Sequence, residues 1–139
     1  MQNIPRSGWT LDHVGHAVRD LRAAEQLYTQ KLGFTEELRE TLPQHLVETI
    51  FVRSGDALVE LLSPLPGNST LTKFLEKRGD GLHHLALRVD SVTAELNALA
   101  AAGFELIDHA PRIGARNLAV AFVHPRSCGG VLLELCGAL

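Results

Sequence analysis

Residues 13–34 have the sequence HVGHAVRDLRAAEQLYTQKLGF, and residues 84–104 have the sequence HLALRVDSVTAELNALAAAGF. Each segment begins with histidine, alternates apolar residues as a strand does, passes an aspartate, becomes rich in alanine and leucine, and ends in Gly-Phe. The two starts are 71 residues apart and the two ends are 70 apart. Further along, LVELL at 58–62 resembles LLELC at 132–136. Two matches in the same order predict two copies of one module of about seventy residues.

Each copy has the pattern of a strand, a helix and then further strands. Aspartate or serine precedes each predicted helix as an N-cap, and glycine ends it. The predicted boundaries make one domain, 1–139, of two modules at about 10–66 and 80–139, joined by a short helix at about 70–77. The first copy is predicted to have a helix at 21–32 and strands at 11–18, 35–42, 46–53 and 57–62. The second copy is predicted to have a helix at 92–102 and strands at 82–89, 104–108, 117–123 and 131–136.

Composition excludes several classes of function. With 45% hydrophobic and 21% charged residues, the chain of 139 residues is predicted to fold as one globular domain. A net charge of −3 and 5% aromatic residues argue against a nucleic-acid-binding surface. The first ten residues lack the apolar segment of a signal peptide, and no apolar run is long enough to span a membrane. We therefore predict a cytoplasmic protein, with Cys128 and Cys136 as reduced, partly buried thiols.

Four residues on predicted strands have the chemistry of metal ligands: His13, Glu60, His84 and Glu134. Strand alternation places each of them on the face opposite the bulky aliphatic residues that should cover the helices. A carboxylate inside an apolar strand is costly to bury unless it is paired or bound to a metal. If the repeats are related by a pseudo-twofold axis, two imidazoles and two carboxylates converge there. This donor set suits Co²⁺, Mn²⁺ or Ni²⁺, with Zn²⁺ as an alternative.

A third carboxylate, Glu48, lies in the apolar segment LVETIFV and shares its strand parity with Leu46, Ile50 and Val52. If that face lines the site, burial raises the pKa of Glu48 and makes it a better general base. The alternative is a surface residue on an edge strand. The residues alone leave both interpretations open.

Nearly the whole chain resembles a known family. The segments KFLEKRGDGLHHLAL and HPRSCGGVLLEL, with the first histidine and Gly-Phe, resemble the vicinal-oxygen-chelate superfamily and, within it, the methylmalonyl-CoA epimerase family. The resemblance implies an α+β fold in which two tandem βαβββ modules form a curved mixed sheet around a metal-binding cup. It also implies a homodimer and an acyl-CoA substrate, with neither nucleic acid nor membrane as a partner.

The resemblance also implies roles for individual residues. Its metal ligands match His13, Glu60, His84 and Glu134, with Co²⁺ as the first candidate, and its catalytic carboxylates match Glu48 and Glu134. The implied reaction interconverts (2R)- and (2S)-methylmalonyl-CoA by removing the C2 proton, with the enolate charge stabilised by the metal. Two alternatives remain open: a glyoxalase I-type lactoylglutathione lyase, and a non-catalytic binding module of the same fold.

Three departures from the family pattern bear on which acyl group the protein accepts more than on the reaction that it catalyses. His45 stands where glycine is usual, Ser63 replaces a common glutamate, and the loop at 114–117 lacks a second glycine. The CoA phosphates need local positive charge in an acidic protein, and the candidates for that contact are Lys73, Arg112 and Arg116.

Overall fold

The computed structural model describes residues 8–139. They divide into two compact units. The first unit is His13–His83, and the second is His84–Leu139 together with the described residues up to Asp12. The expectation that no targeting segment is present falls mainly on residues 1–7, which lie outside the described part. Within residues 8–139, no helix is both long and apolar enough to cross a membrane.

The first unit has the predicted βαβββ order, followed by the short helix. Its strands lie in the order β2-β3-β4-β1, with β1 parallel to β4 and the other neighbours antiparallel. Because β1 and β4 are parallel, the chain crosses over between them. The elements are β1 (Thr10–Ala17, from His13 onward in this unit), α1 (Leu21–Gln26), β2 (Thr35–Leu42), β3 (Val47–Ser54), β4 (Ala57–Pro64) and α2 (Ser69–Arg78).

The second unit repeats this order. Its strands lie in the order β5-β8-β7-β6, with β5 parallel to β8 and the other neighbours antiparallel. The repeat that the sequence predicts is therefore present as two βαβββ arrangements. The elements are β5 (Gly81–Arg88, from His84 onward in this unit), α3 (Val92–Ala101), β6 (Arg112–Ile113), β7 (Ala119–Val123) and β8 (Leu133–Gly137).

The helices α1 and α3 each cover the bulky face of their own sheet, as the strand alternation predicts, whereas α2 packs against Ala17 and Leu62 on the opposite face. In the first unit, Ile50, Val52 and Leu61 form a buried cluster with Val18 and with residues of α1. In the second unit, Leu135 and Val123 pack against the apolar side of α3. The other face of each sheet carries one of the predicted histidine–glutamate pairs.

The predicted first helix is shorter than expected. It begins at Leu21, where the backbone N–H of Ala23 donates to the carboxylate of Asp20 at 3.0 Å, so the predicted N-cap is confirmed. After Gln26 the helix becomes a π-helical turn, Leu27–Lys31, closed by the Leu32 N–H donating to the Leu27 carbonyl five residues back. Apolar periodicity does not distinguish this wider turn from an α-helix.

The strand predicted at 104–108 is absent from the described structure except for one bridge between Leu106 and Val123. The Asp108 carboxylate accepts the Phe122 backbone N–H at 2.8 Å. This side-chain bond takes the place of a ladder bond between two backbones. The edge strand β6 forms instead a few residues later.

Candidate metal and active site

The first unit brings His13 and Glu60 together. Parallel pairing of β1 with β4 places Gly15 opposite Glu60, so both functional side chains project from the same face of adjacent strands. The Nε2 atom of His13 lies 3.4 Å from Oε1 of Glu60. His13 is 4% exposed and Glu60 is 7% exposed, so the contact is withdrawn from water.

The second unit contains the same arrangement. Parallel pairing of β5 with β8 places Ala86 opposite Glu134. Ala86 lies two residues after His84, just as Gly15 lies two residues after His13. The Nε2 atom of His84 lies 3.2 Å from Oε1 of Glu134, and both residues are buried. The identical register explains why the sequence repeat aligns both the histidines and the glutamates.

A phenylalanine supports each pair. Phe51 lies opposite Glu60 across β3 and β4, and its ring meets the His13 ring edge-on at a centroid distance of 5.3 Å. Phe122 lies opposite Glu134, and its ring meets the His84 ring edge-on at a centroid distance of 5.8 Å. Such T-shaped contacts fix the imidazole planes. Sequence reasoning missed these residues, although Phe-Val recurs at 51–52 and 122–123 with the same 71-residue offset as the histidines.

Each unit holds one imidazole and one carboxylate as a buried pair, and this donor chemistry suggests a metal site. Within each pair the facing nitrogen and oxygen atoms are 3.2–3.4 Å apart, at or just beyond the upper end of the usual hydrogen-bond range. Two ligand atoms that each bind one ion at about 2.1 Å and at a right angle lie about 3 Å apart. The donor chemistry, the burial and the spacing within each pair therefore fit a divalent cation.

The structure places Glu48 on a different face from the one assumed. Its alternation partners Ile50 and Val52 pack in the cluster with α1, whereas Thr49 and Phe51 contact the Glu60–His13 pair. The assumption that the Ile50 face lines the site is wrong, because that face is covered by a helix. The catalytic role of Glu48 itself stays a prediction, and the structure does not bring its strand face to this pair.

Both arginines considered for phosphate binding already have partners. Arg116 forms an ion pair with Asp12, and its side chain is 20% exposed. Arg112 lies with its Nε 3.1 Å from a carboxylate oxygen of Asp108. Lys73 lies exposed on α2. In the loop at 114–117, which lacks a second glycine, Arg116 and Asn117 both adopt the left-handed conformation, with φ of 60° and 56°. Asparagine tolerates this conformation better than most residues.

The thiols match the sequence prediction. Both cysteines are free, and Cys136 is buried. Burial, followed by the nearby carboxylates of Asp12 and Glu134, raises the pKa of Cys136 to about 12. It therefore remains a neutral thiol at physiological pH.

Three other histidines make contacts of their own. His16 lies with Nδ1 2.9 Å from the Tyr28 hydroxyl, and burial lowers its pKa. His83 packs edge-on against Phe74. His124 accepts the Arg126 backbone N–H at the turn before β8. His16 and His83 thus take part in side-chain packing.

The family follows from comparison with known proteins. Residues 12–122 match the Glyoxalase/Bleomycin resistance protein/Dioxygenase superfamily. The chain is 39% identical to the mitochondrial methylmalonyl-CoA epimerase of Mus musculus over 90% of its own length and 71% of that protein. The chain belongs to the methylmalonyl-CoA epimerase family. It is also 40% identical to the uncharacterized protein YqjC of Bacillus subtilis over 91% of this chain and 90% of that one.

A solved structure of the family supports the fold. A variant of the Streptomyces coelicolor methylmalonyl-CoA epimerase, in complex with 2-nitronate-propionyl-CoA, superposes with a TM-score of 0.88 at 30% identity. The match covers 93% of this chain and 94% of that one. The predicted resemblance and the α+β fold class are thereby confirmed, and members of this family are isomerases.

Proposed function

We propose that this protein is a metal-dependent epimerase that interconverts (2R)- and (2S)-methylmalonyl-CoA. The observation that carries the proposal is the buried His–Glu pair that occurs once in each unit in the same strand register. Membership of the methylmalonyl-CoA epimerase family supports the choice of substrate. The Streptomyces coelicolor relative, in complex with an acyl-CoA compound, supports the ligand class.

The four ligands in this proposal are His13, Glu60, His84 and Glu134, and Co²⁺ is the metal that we place first. A divalent cation held by them supplies Lewis-acid stabilisation for the negative charge that develops on the thioester oxygen. The protein contributes neutral imidazoles, whose planes are fixed by Phe51 and Phe122, and carboxylates withdrawn from water. A site that excludes water strengthens this electrostatic stabilisation.

Proton transfer is the second part of the proposal. The C2 hydrogen lies between a thioester and a carboxylate, and epimerisation removes it as a proton and returns a proton to the opposite face. Glu134 is our candidate base, as the family resemblance implies, and its carboxylate is buried beside His84. The sequence predicts Glu48 as the second base, but its strand neighbours Ile50 and Val52 pack with α1, so we do not assign it this role in the proposal. A homodimer and a cytoplasmic location also remain predictions.

Substrate discrimination tests the proposal against glyoxalase I-type activity. The purified protein, supplied with Co²⁺, should epimerise methylmalonyl-CoA and leave the hemithioacetal of methylglyoxal and glutathione unchanged. His84→Ala should lose both Co²⁺ and epimerisation, whereas the matched His124→Ala, in a turn, should keep both. Turnover of the hemithioacetal alone would replace the epimerase assignment, and turnover of neither compound would favour the binding module.

A further inference from the structure

Thr49 lies in the middle of β3 and is fully buried, with 0% of its surface exposed. Its hydroxyl oxygen is 2.8 Å from Oε2 of Glu60 and 3.1 Å from the Leu61 carbonyl oxygen. A buried hydroxyl needs a hydrogen-bond partner, and both of these partners belong to β4. Thr49 is therefore linked directly to one of the residues that we place at the metal.

The chemistry of the two groups sets the direction of this hydrogen bond. An ionised carboxylate only accepts, so the Thr49 hydroxyl donates its single proton, and the bond to a charged acceptor is stronger than one to a carbonyl. The other oxygen of Glu60, Oε1, faces Nε2 of His13. The two oxygens of Glu60 thus have separate environments, one held by Thr49 and one directed to His13.

We propose that Thr49 is a positioning residue, whose hydroxyl fixes the Glu60 carboxylate so that Oε1 is presented to the metal ion beside His13. The inference rests on the metal site of the proposed function. Hydrogen-bond partners outside the ligand shell commonly orient ligating carboxylates in this way, and their loss costs metal affinity.

The second unit provides an internal comparison. In the first unit, Thr49 lies opposite Leu62, and Leu62 is two residues after Glu60. In the second unit, Val120 lies opposite Cys136, and Cys136 is two residues after Glu134. Val120 therefore occupies the position that corresponds to Thr49, and valine has no hydroxyl. Because valine is accommodated at this register position, Thr49→Val is a nearly isosteric change that removes the hydrogen bond.

Titration with Co²⁺ tests the inference. After removal of metal from the full-length protein with a chelator, we expect Thr49→Val to bind Co²⁺ about 10- to 100-fold more weakly than the wild type. Thr49→Ser keeps the hydroxyl and should restore most of the affinity. The visible absorption of bound Co²⁺ should change in Thr49→Val and stay unchanged in Thr49→Ser. Thr35→Val, at an exposed position of β2, is the matched control and should bind like the wild type.

The outcomes separate this inference from the proposed function. Equal Co²⁺ affinity and spectra for wild type and Thr49→Val would overturn the role of Thr49 alone. A wild type that binds no Co²⁺ would overturn both the metal site and this inference, and a wild type that binds Co²⁺ without epimerising methylmalonyl-CoA would overturn only the reaction. If Thr49→Val does not fold, Thr49→Ala provides the same comparison with a smaller side chain.

Discussion

Individual residues of the site were predictable to different degrees. The two histidines and the glutamates at 60 and 134 could be found because each recurs at nearly the same offset within an apolar strand. Thr49 could not, because its contact with Glu60 depends on the pairing register of β3 with β4. Sequence fixes which residues share a strand face, but not which face a helix covers. For this reason the sequence analysis wrongly assumed that the strand face of Glu48 lines the site.

A substitution at Glu48 tests this point. Because its strand neighbours Ile50 and Val52 pack with α1, we expect Glu48→Gln to leave Co²⁺ affinity unchanged and to alter epimerisation only about twofold. Loss of a general base would instead slow the reaction by about 10²- to 10⁴-fold. Epimerisation rates with retained Co²⁺ binding distinguish the two. A loss of the larger size would establish Glu48 as the second base.

At the scale of elements, most helices and strands follow from the sequence, because caps and strand alternation act locally. Ser91 caps α3 by accepting the Ala94 N–H at 3.2 Å, as predicted. Two predictions were wrong where side chains or wider turns replace regular backbone bonds. These are the π-helical turn after α1, and the stretch before β6, where Asp108 bonds to the Phe122 N–H.

The end of β8 depends on a close approach that only glycine permits. A Cβ atom on Gly137 would lie 2.6 Å from the Val89 carbonyl oxygen, which belongs to the backbone and cannot easily move. Gly137→Ala should therefore lower the free energy of unfolding by about 1–3 kcal/mol, as overpacking typically does. Urea denaturation measures the change.

Gly81→Ala is the matched control, since a Cβ atom there meets nothing within 4 Å. We expect this variant to be as stable as the wild type or slightly more stable, because alanine restricts the unfolded chain. Equal stability of the two variants would contradict the close packing of β8 against Val89.

For the whole molecule, the internal repeat was the strongest signal. It predicted two similar βαβββ arrangements, and each unit places one histidine and one glutamate in the same register. The choice of metal and of acyl group has no such signal, because several cations accept the same nitrogen and oxygen donors. We propose that these four residues together support metal-dependent proton transfer at C2 of methylmalonyl-CoA.

The most direct test is hydrogen exchange at C2 of methylmalonyl-CoA in D₂O, followed by mass spectrometry. We predict that the Co²⁺-loaded protein incorporates deuterium, that removal of metal with a chelator abolishes incorporation, and that added Co²⁺ restores it. Glu134→Gln should fail to incorporate deuterium under all three conditions. No incorporation by the loaded wild type, or an equal rate after metal removal, would contradict metal-dependent epimerisation by this protein.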